Sequence, residues 1–417
     1  MLPSNISTYL AKRAVSDPWQ ILQPPKRLFA GAVVIPSLAE FTNLRQTLQS
    51  LAGNPPELLE RFMILVVVNQ RGDASDAEKS DNRTTLETLP EWQHKYGLEN
   101  LCWIDAASPE TELPHRQGVG LARKIGLDLA LPHLDYVKSD PLLVCLDADT
   151  LVQPDYLQAI QSHFSTSPQG GASISYRHRP AADPEGQKFI DRYELFLRIY
   201  VLGLELAVSP YAFHSVGSAM ACRASAYVAG GGMNRRMAGE DFYFLQQLHK
   251  TSGVADLKGT VVHPSPRSSQ RVPFGTGRAV GDMLIEGENR LLFYQPVVFS
   301  ILGEWLACVT GNLDAEGSFL LERSMGISPV LHNFLEQAGF GESWDGLKTH
   351  NQDETRLLTA FHGWFDAFRT MRLIHLLSEH DYPRVSPEKA VPPLLEQAGY
   401  ECPGGISEQL ELLRKMQ

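Results

Sequence analysis

Short, uninterrupted apolar runs constrain the fold of this chain more than any other feature of its sequence. The clearest of these segments extends from Phe62 to Val68, and a second one of the same kind extends from Leu142 to Leu146. Each is long enough for one β-strand and does not alternate with polar residues, which predicts strands buried on both faces. Two similar runs are Phe29 to Pro36 and Leu101 to Ile104.

Segments with helical spacing separate these runs, and they cover residues 38–51, 119–131 and 153–164. Strands that alternate with helices predict an α/β domain, with a Rossmann-like, mostly parallel sheet and helices on both faces. In such a sheet, ligands bind at the carboxyl ends of the strands. The polar segment 71–84 predicts a loop.

The strand-like runs nearly vanish after residue 280, and helical patterns replace them over 297–309, 328–339, 354–378, 392–398 and 407–416. The sequence therefore predicts an α/β domain over residues 1–279 and an α-helical C-terminal domain over 280–417. Aromatic residues of the second domain, such as Trp305 and Trp344, are expected to pack its helices, with an acceptor site or a homodimer contact as open alternatives. The Pro-, Ser-, Arg- and Gly-rich stretch 263–278 predicts a mobile loop.

The overall charge argues against one class of partner. The 417 residues include 37 Lys and Arg against 48 Asp and Glu, a formal net charge of -11. Because nucleic-acid affinity depends on clustered basic residues, we expect no nucleic-acid partner. The 5 cysteines are scattered without zinc-ligand spacing, which predicts reduced thiols in a cytoplasmic protein. We expect neither a signal peptide nor a transmembrane segment, and peripheral attachment to a membrane stays open.

Two carboxylates follow the strand that ends at Leu146, in the order Asp147-Ala148-Asp149. A strand end lets both point into one cleft, and hard cations such as Mn²⁺ and Mg²⁺ prefer oxygen ligands. A cation there can neutralise a departing diphosphate. An Asp-x-Asp tripeptide also arises by chance, so its position after a buried strand carries the prediction.

A second pair of acids, Glu240 and Asp241, opens a helical run after Gly239. Acids in a first helical turn favour the helix dipole, and one of them is also placed to act as a general base toward an acceptor hydroxyl. His263 ends a short apolar run, where it is either structural or a ligand.

Arginines and polar strand ends complete the candidate residues. Arg267, Arg271 and Arg278 lie in the loop after His263, and arginine suits phosphate groups, although a solvated basic loop is the alternative. Arg116 precedes a predicted helix start that can hold anions, whereas Arg123 and Lys124 are equally compatible with an exposed helix face. Pro36, Ser37, Glu40 and Asn69 follow or end the first two strands, where polar groups can bind a base and ribose.

Taken in order, these motifs resemble the family 2-like glycosyltransferases of the GT-A fold over roughly residues 28 to 280. The matching residues are Val33-Val34-Ile35-Pro36-Ser37, Val67-Val68-Asn69, Arg116-x-Gly118 with Ala122-Arg123, Leu146-Asp147-Ala148-Asp149, Gly217 to Arg223 with Gly230-Gly231-Gly232-Met233, Gly239-Glu240-Asp241 and His263.

The resemblance implies a nucleotide-diphosphate sugar donor and a divalent metal. By this likeness Pro36, Ser37, Glu40 and Asn69 would face the nucleoside. Asp147 would face the ribose or the metal, Asp149 would be the main metal ligand, and His263 would match a metal-ligand position of some relatives. Asp241, with Glu240 beside it, would match the catalytic acid pair.

The resemblance leaves several points open. Asn69 stands where many relatives have an aspartate that reads uracil, so the donor base is open. The chain also resembles, more loosely, retaining synthases that glycosylate glycerate-type acceptors, which leaves the stereochemical outcome open. The acceptor is a small molecule, a glycan or a lipid-linked group. A sugar nucleotidyltransferase and a non-catalytic nucleotide-sugar-binding protein are the alternatives, and the former should show a glycine-rich loop where Pro36 to Glu40 stand.

Overall fold

A mixed β-sheet organises the first part of the chain in the computed structural model, which describes residues 2–267, 275–287 and 290–417. Among these residues the sheet has nine strands in the order β1-β4-β3-β2-β5-β8-β7-β9-β6. They are β1 (Ile21–Leu22), β2 (Gly31–Ser37), β3 (Phe62–Asn69), β4 (Leu101–Ala106), β5 (Leu142–Cys145), β6 (Leu151–Val152), β7 (Gly171–Tyr176), β8 (Met220–Arg223) and β9 (Val254–His263).

The described helices fall before, between and after the strands. Those that precede residue 260 are α1 (Ser4–Lys12), α2 (Phe41–Leu51), α3 (Pro56–Leu59), α4 (Asp76–Lys95), α5 (Val119–Ala130), α6 (Tyr156–Thr166), α7 (Pro184–Leu206), α8 (Ala224–Ala229) and α9 (Glu240–Ser252). The later ones are α10 (Thr276–Glu286), α11 (Pro296–Thr310), α12 (Gly317–Ile327), α13 (Pro329–Gln337), α14 (Phe340–His350), α15 (Glu354–Trp364), α16 (Ala367–His380), α17 (Pro387–Gln397) and α18 (Ile406–Met416). None of the helices in the described ranges is both long and apolar enough to cross a membrane.

The centre of the sheet is parallel, because β4, β3, β2 and β5 all run in the same direction. Antiparallel pairs join β1 to β4, β5 to β8, β7 to β8 and β6 to β9. Every residue of β2 and β3 is buried, as their uninterrupted apolar composition predicts. The expected α/β class with a mostly parallel core is thus confirmed.

The strand order reverses between β2 and β5. The chain moves outward from β2 to β3 and β4, then crosses back to β5 through α5. Because such crossovers are right-handed, this reversal puts α5 on the opposite face from α3 and α4. Helix α5 packs closely there, since a Cβ on Gly126 would lie 2.3 Å from Cγ1 of Val34. Such a switch point opens a ligand crevice at the carboxyl ends of the strands.

The described residues form two compact units. The first comprises residues 1–181 and 215–278, and the second comprises 182–214 and 279–417. The second unit is built of helices around a core of large aromatic side chains, which includes the fully buried Trp305, Trp344 and Phe361. The division into domains at residue 279 stays a prediction, and the compact units differ from it in grouping α7 with the C-terminal helices.

Three local predictions were wrong. The segment 71–84 is not all loop, because α4 begins at Asp76 behind a capping box in which Ser75 and Glu78 satisfy each other's backbone N–H groups. The segment 354–378 is two helices, and Asp366 caps the second of them by accepting a hydrogen bond from the backbone N–H of Arg369 at 3.0 Å. The loop 263–278 ends early, since α10 begins at Thr276, and its residues 268–274 lie outside the described ranges.

Candidate active site

The carboxyl ends of the central strands bring several of the predicted residues together. Asn69, at the end of β3, uses its side-chain Nδ2 to donate to the carbonyl oxygens of Ser37 and Val67, each at 3.1 Å. It therefore holds the ends of β2 and β3 against each other. Pro36 and Ser37 are buried in β2, and the hydroxyl of Ser37 is enclosed without a hydrogen-bond partner among the described residues.

Asp147 faces a buried arginine that the sequence did not single out as a site residue. Arg123 on α5 is only 2% exposed, and its Nη2 lies 2.6 Å from Oδ1 of Asp147. Its Nε lies 3.1 Å from Oε1 of Glu240, which is also buried. One guanidinium therefore bridges the Asp-x-Asp motif and the acid pair. Its third nitrogen, Nη1, is enclosed and has no hydrogen-bond partner in the described part of the chain.

The exposed helix face considered for Arg123 and Lys124 is wrong, because both side chains are buried. Lys124 pairs with Asp128 one turn later at 2.9 Å. The signal for this was present in the sequence: α5 is apolar on nearly all sides, and charged residues in such a helix must be paired when they are buried. The partners come from distant segments, so the sequence did not identify them.

The acid pair begins α9, directly after Gly239, whose φ of 68° is left-handed. Asp241 is partly exposed, and one of its oxygens accepts a hydrogen bond from the backbone N–H of Phe242 at 2.8 Å. Burial, and next the neighbouring carboxylate of Glu240, raise the pKa of Asp241 to about 7. A carboxylate with such a pKa is suited to accept a proton near neutral pH.

Two arginines contact Asp149, one at its carboxylate and one at its backbone. Arg267 donates from Nε to Oδ2 of Asp149 at 3.1 Å, and its Nη2 also contacts Glu40. Arg179 donates to the backbone carbonyl of Asp149 at 3.1 Å. Burial raises the pKa of Asp149 to about 6, and the carboxylates of Asp147 and Glu40 add to the rise, which Arg267 and Arg179 oppose.

His263 lies where the sequence predicted, at the last residue of β9. It is paired in register with Leu151, two residues after Asp149. Its Nδ1 is 3.1 Å from the carbonyl oxygen of Arg177. A carbonyl only accepts, so Nδ1 carries the proton and the neutral ring has its lone pair on Nε2. Metal-ligating histidines commonly have this tautomer.

The predicted metal site and two predicted arginines, Arg116 and Arg271, remain to be placed. Within the described ranges, no three His, Cys, Asp or Glu side chains are arranged to hold a metal. Arg116 is exposed, with a φ of 62°, and Arg271 lies outside the described residues. The donor chemistry of Asp147, Asp149 and His263 nevertheless suits a divalent cation. Their side chains are accessible, since Asp147 is 34% and Asp149 22% exposed, but Arg123 and Arg267 engage the two carboxylates.

Comparison with models of known protein families finds no match to this chain. Comparison with curated proteins finds none either.

Three of the matching solved structures show the level of similarity. S. aureus TarS 1–349 is 13% identical, with 93% of this chain and 91% of that one covered and a TM-score of 0.37. The mannosyltransferase PcManGT from Pyrobaculum calidifontis, in complex with GDP-Man and Mn²⁺, is 15% identical over 99% and 91% of the two chains, with a TM-score of 0.37. Glucosyl-3-phosphoglycerate synthase from Mycobacterium tuberculosis, in complex with UDP, is 15% identical over 68% and 82%, with a TM-score of 0.33. Similarity this low carries no functional argument.

Proposed function

We propose that this chain is a glycosyltransferase of the hexosyltransferase class. It would move a hexose from a nucleotide-diphosphate sugar to an acceptor hydroxyl. The observation that carries the proposal is the bridge formed by Arg123. It joins Asp147, at the switch point of the sheet, to Glu240 beside Asp241. A site for a phosphorylated donor and a candidate proton acceptor are thereby connected through one side chain.

The donor would lie at the carboxyl ends of β2, β3 and β5. Its nucleoside would bind near Pro36, Ser37, Glu40 and Asn69, which lie at or just after the ends of β2 and β3. Arg267 would bind the diphosphate, because a guanidinium matches phosphate oxygens in a planar fork. Arg271 remains a predicted contact of the same kind.

Asp149, Asp147 and His263 would hold a divalent cation. Such a cation supplies positive charge to the departing diphosphate. The carboxylate oxygens and the imidazole tautomer of His263 provide the donor atoms, provided that Arg267 leaves Asp149.

Asp241 would act as the general base. As the acceptor oxygen forms its bond to the anomeric carbon, the bond from that carbon to the phosphate oxygen breaks, and the hydroxyl proton passes to Asp241. The partial exposure of Asp241 gives an acceptor access, and its pKa of about 7 suits the proton transfer. Glu240 would act through Asp241 and Arg123, because it is buried. In a retaining reaction, the same carboxylates would instead position the acceptor.

Release of nucleoside diphosphate tests the proposal without knowledge of the acceptor, because water can take the sugar. UDP- and GDP-sugars would be incubated with the protein and Mn²⁺ or Mg²⁺, and binding would be followed by the rise in melting temperature. Asp149→Ala should remove metal-dependent donor binding. Asp241→Asn should keep donor binding and lower turnover at least a hundredfold, a typical loss for a general base.

Glu91→Gln, an exposed acid on α4, is the matched control and should behave as the wild type. Wild-type turnover in Asp241→Asn would remove that residue as the base. Pyrophosphate release from a nucleoside triphosphate and a sugar phosphate would identify a nucleotidyltransferase instead. Donor binding without any turnover would identify a non-catalytic binding protein.

A further inference from the structure

Three exposed arginines near the starts of α5 and α9 have no carboxylate partner among the described residues. Arg116 lies before α5, and Arg235 and Arg236 lie in the segment that leads into α9. Among the described residues, none of the three takes part in an ion pair. Because the net charge of the chain is -11, three arginines on neighbouring segments give this part of the surface a local positive charge that attracts anions.

The segments that carry these arginines are in direct contact. The backbone N–H of Gly120 donates to the carbonyl oxygen of Arg236 at 3.2 Å. A Cβ on Gly120 would lie 2.4 Å from that oxygen, and a Cβ on Gly118 would lie 3.6 Å from Met237. The close contact between the start of α5 and the backbone of Arg236 thus requires a glycine at position 120. It brings the segment that follows Arg116 against the segment that contains Arg235 and Arg236.

Arg236 is held in place before any ligand binds. Asn234 accepts a hydrogen bond from the backbone N–H of Arg236 at 3.2 Å and donates from Nδ2 to the carbonyl oxygen of Glu240 at 2.8 Å. The guanidinium carbon of Arg236 lies over the ring of Tyr243, 3.7 Å from its centroid. This contact stabilises the position of the side chain, and the guanidinium N–H groups can donate to a carboxylate or a phosphate.

Arg116 adds a backbone observation. Its φ of 62° is in the left-handed region, which a side chain other than glycine, asparagine or aspartate rarely adopts. Residues held in such conformations cluster at ligand sites.

We propose that Arg116, Arg235 and Arg236 bind an anionic group, a phosphate or a carboxylate, of the acceptor. This inference rests on the proposed function, because it takes Asp241 as the base that the acceptor hydroxyl must reach. The proposed donor site offers the diphosphate separate partners, namely Arg267 and the cation that Asp149 would hold, and these two residues contact each other at 3.0 Å. The segment with Arg235 and Arg236 leads directly into Glu240 and Asp241 and is hydrogen-bonded to Glu240. Arg116, predicted from the sequence to bind the donor, is therefore assigned to the acceptor.

Anion titration tests the assignment without the acceptor itself. Isothermal titration at constant ionic strength would use inorganic phosphate in one series and acetate in a second. The variant carries Arg116→Gln, Arg235→Gln and Arg236→Gln together. The matched control carries Lys26→Gln, Arg83→Gln and Lys138→Gln, which make the same charge change at exposed positions.

We expect at least one anion to bind wild type and control equally, and to bind the triple variant at least tenfold more weakly. Saturating UDP or GDP with Mn²⁺ should leave anion binding to the wild type intact, and the triple variant should keep wild-type nucleotide affinity, which also shows that it is folded. Equal anion affinity in the triple variant, displacement of the anion by the nucleotide, or no anion binding to the wild type would each overturn the assignment.

Failure of the proposed function gives a different result. Nucleotide-sugars would then fail to bind the wild type, while the anion would still bind and still depend on the three arginines.

Discussion

Replacement of Asp241 by asparagine should make the protein more stable at alkaline pH while it removes transfer. The folded protein raises the pKa of this carboxyl to about 7, whereas an unfolded chain has it near 4. The folded state therefore binds more protons than the unfolded state between these two values. By linkage, the free energy of unfolding falls as the pH rises through this window, and the loss is complete above about pH 7.

The size of the effect follows from the shift. Three pKa units correspond to about 4 kcal/mol, which is an upper value because Asp241 is partly exposed. Asparagine has nearly the same shape and no charge, so it removes this destabilisation. It also relieves the repulsion that the charged carboxyl exerts on Glu240. We expect Asp241→Asn to gain up to about 4 kcal/mol at pH 8 and close to nothing at pH 4.

Thermal unfolding of wild type and variant at pH 4, 6 and 8 measures this difference. A gain of several kcal/mol raises Tm by about 5–10 °C for a unit of this size. The exposed Glu91→Gln on α4 is the control, and its difference from the wild type should not depend on pH in this way. A difference for Asp241→Asn that stays constant from pH 4 to pH 8, or a loss of stability at pH 8, would refute the reasoning.

Three further predictions follow from the same geometry. Turnover should rise roughly tenfold from pH 6 to pH 8 as Asp241 loses its proton, and a flat pH–rate profile would contradict its role as base. Arg123→Met leaves Glu240 buried without its partner and should cost about 3–5 kcal/mol in urea unfolding at pH 8; a loss below about 1 kcal/mol would show that the bridge is dispensable. Gly126→Ala forces a Cβ against β2 and should destabilise by about 1–3 kcal/mol. Gly346→Ala, which meets open space on α14, should be neutral or slightly stabilising, and equal effects of the two would contradict the close packing of α5.

The central part of the sheet could be predicted because its strands are buried on both faces. The runs around Val33, Val66 and Val144 have only apolar side chains, so neither length nor composition allows another element. Strands β7 and β8 gave no such signal. Their sequences, Gly171–Tyr176 and Met220–Arg223, are short and contain Gly, Ser or Arg, and they pair only because the tertiary fold brings them together.

The positions of the candidate residues on strand and helix ends could be predicted, but their arrangement around Arg123 could not. The positions of Asp147, Glu240 and His263 follow from strand and helix ends that the sequence marks. Arg123 joins Asp147 to Glu240 only because α5 crosses the sheet. Asp147 is 24 positions and Glu240 is 117 positions away from Arg123 in the sequence. Spacing along one helix carries no information on such contacts.

The pairing of carboxylates with arginines has a consequence for how ligands bind. Asp149 and Glu40 share Arg267. A divalent cation alone on Asp149 would displace the guanidinium of Arg267 into solvent. A diphosphate alone on Arg267 would leave the carboxylates of Asp149 and Glu40 close together, with Arg179 as the remaining positive charge that acts on Asp149. When both ligands bind, the cation replaces the arginine at the carboxylates while the arginine meets the phosphates, so no charge is left unpaired.

The two ligands should therefore bind synergistically, with UDP or GDP affinity in Mn²⁺ at least tenfold higher than in its absence, and with an equal gain in Mn²⁺ affinity. Arg267→Gln should bind Mn²⁺ alone more tightly than the wild type, since no guanidinium competes for Asp149, and should lose most of the synergy. Calorimetric titration measures both affinities. Weaker Mn²⁺ binding in Arg267→Gln would mean that the arginine supports the cation rather than competing with it, and the exchange of partners would be excluded.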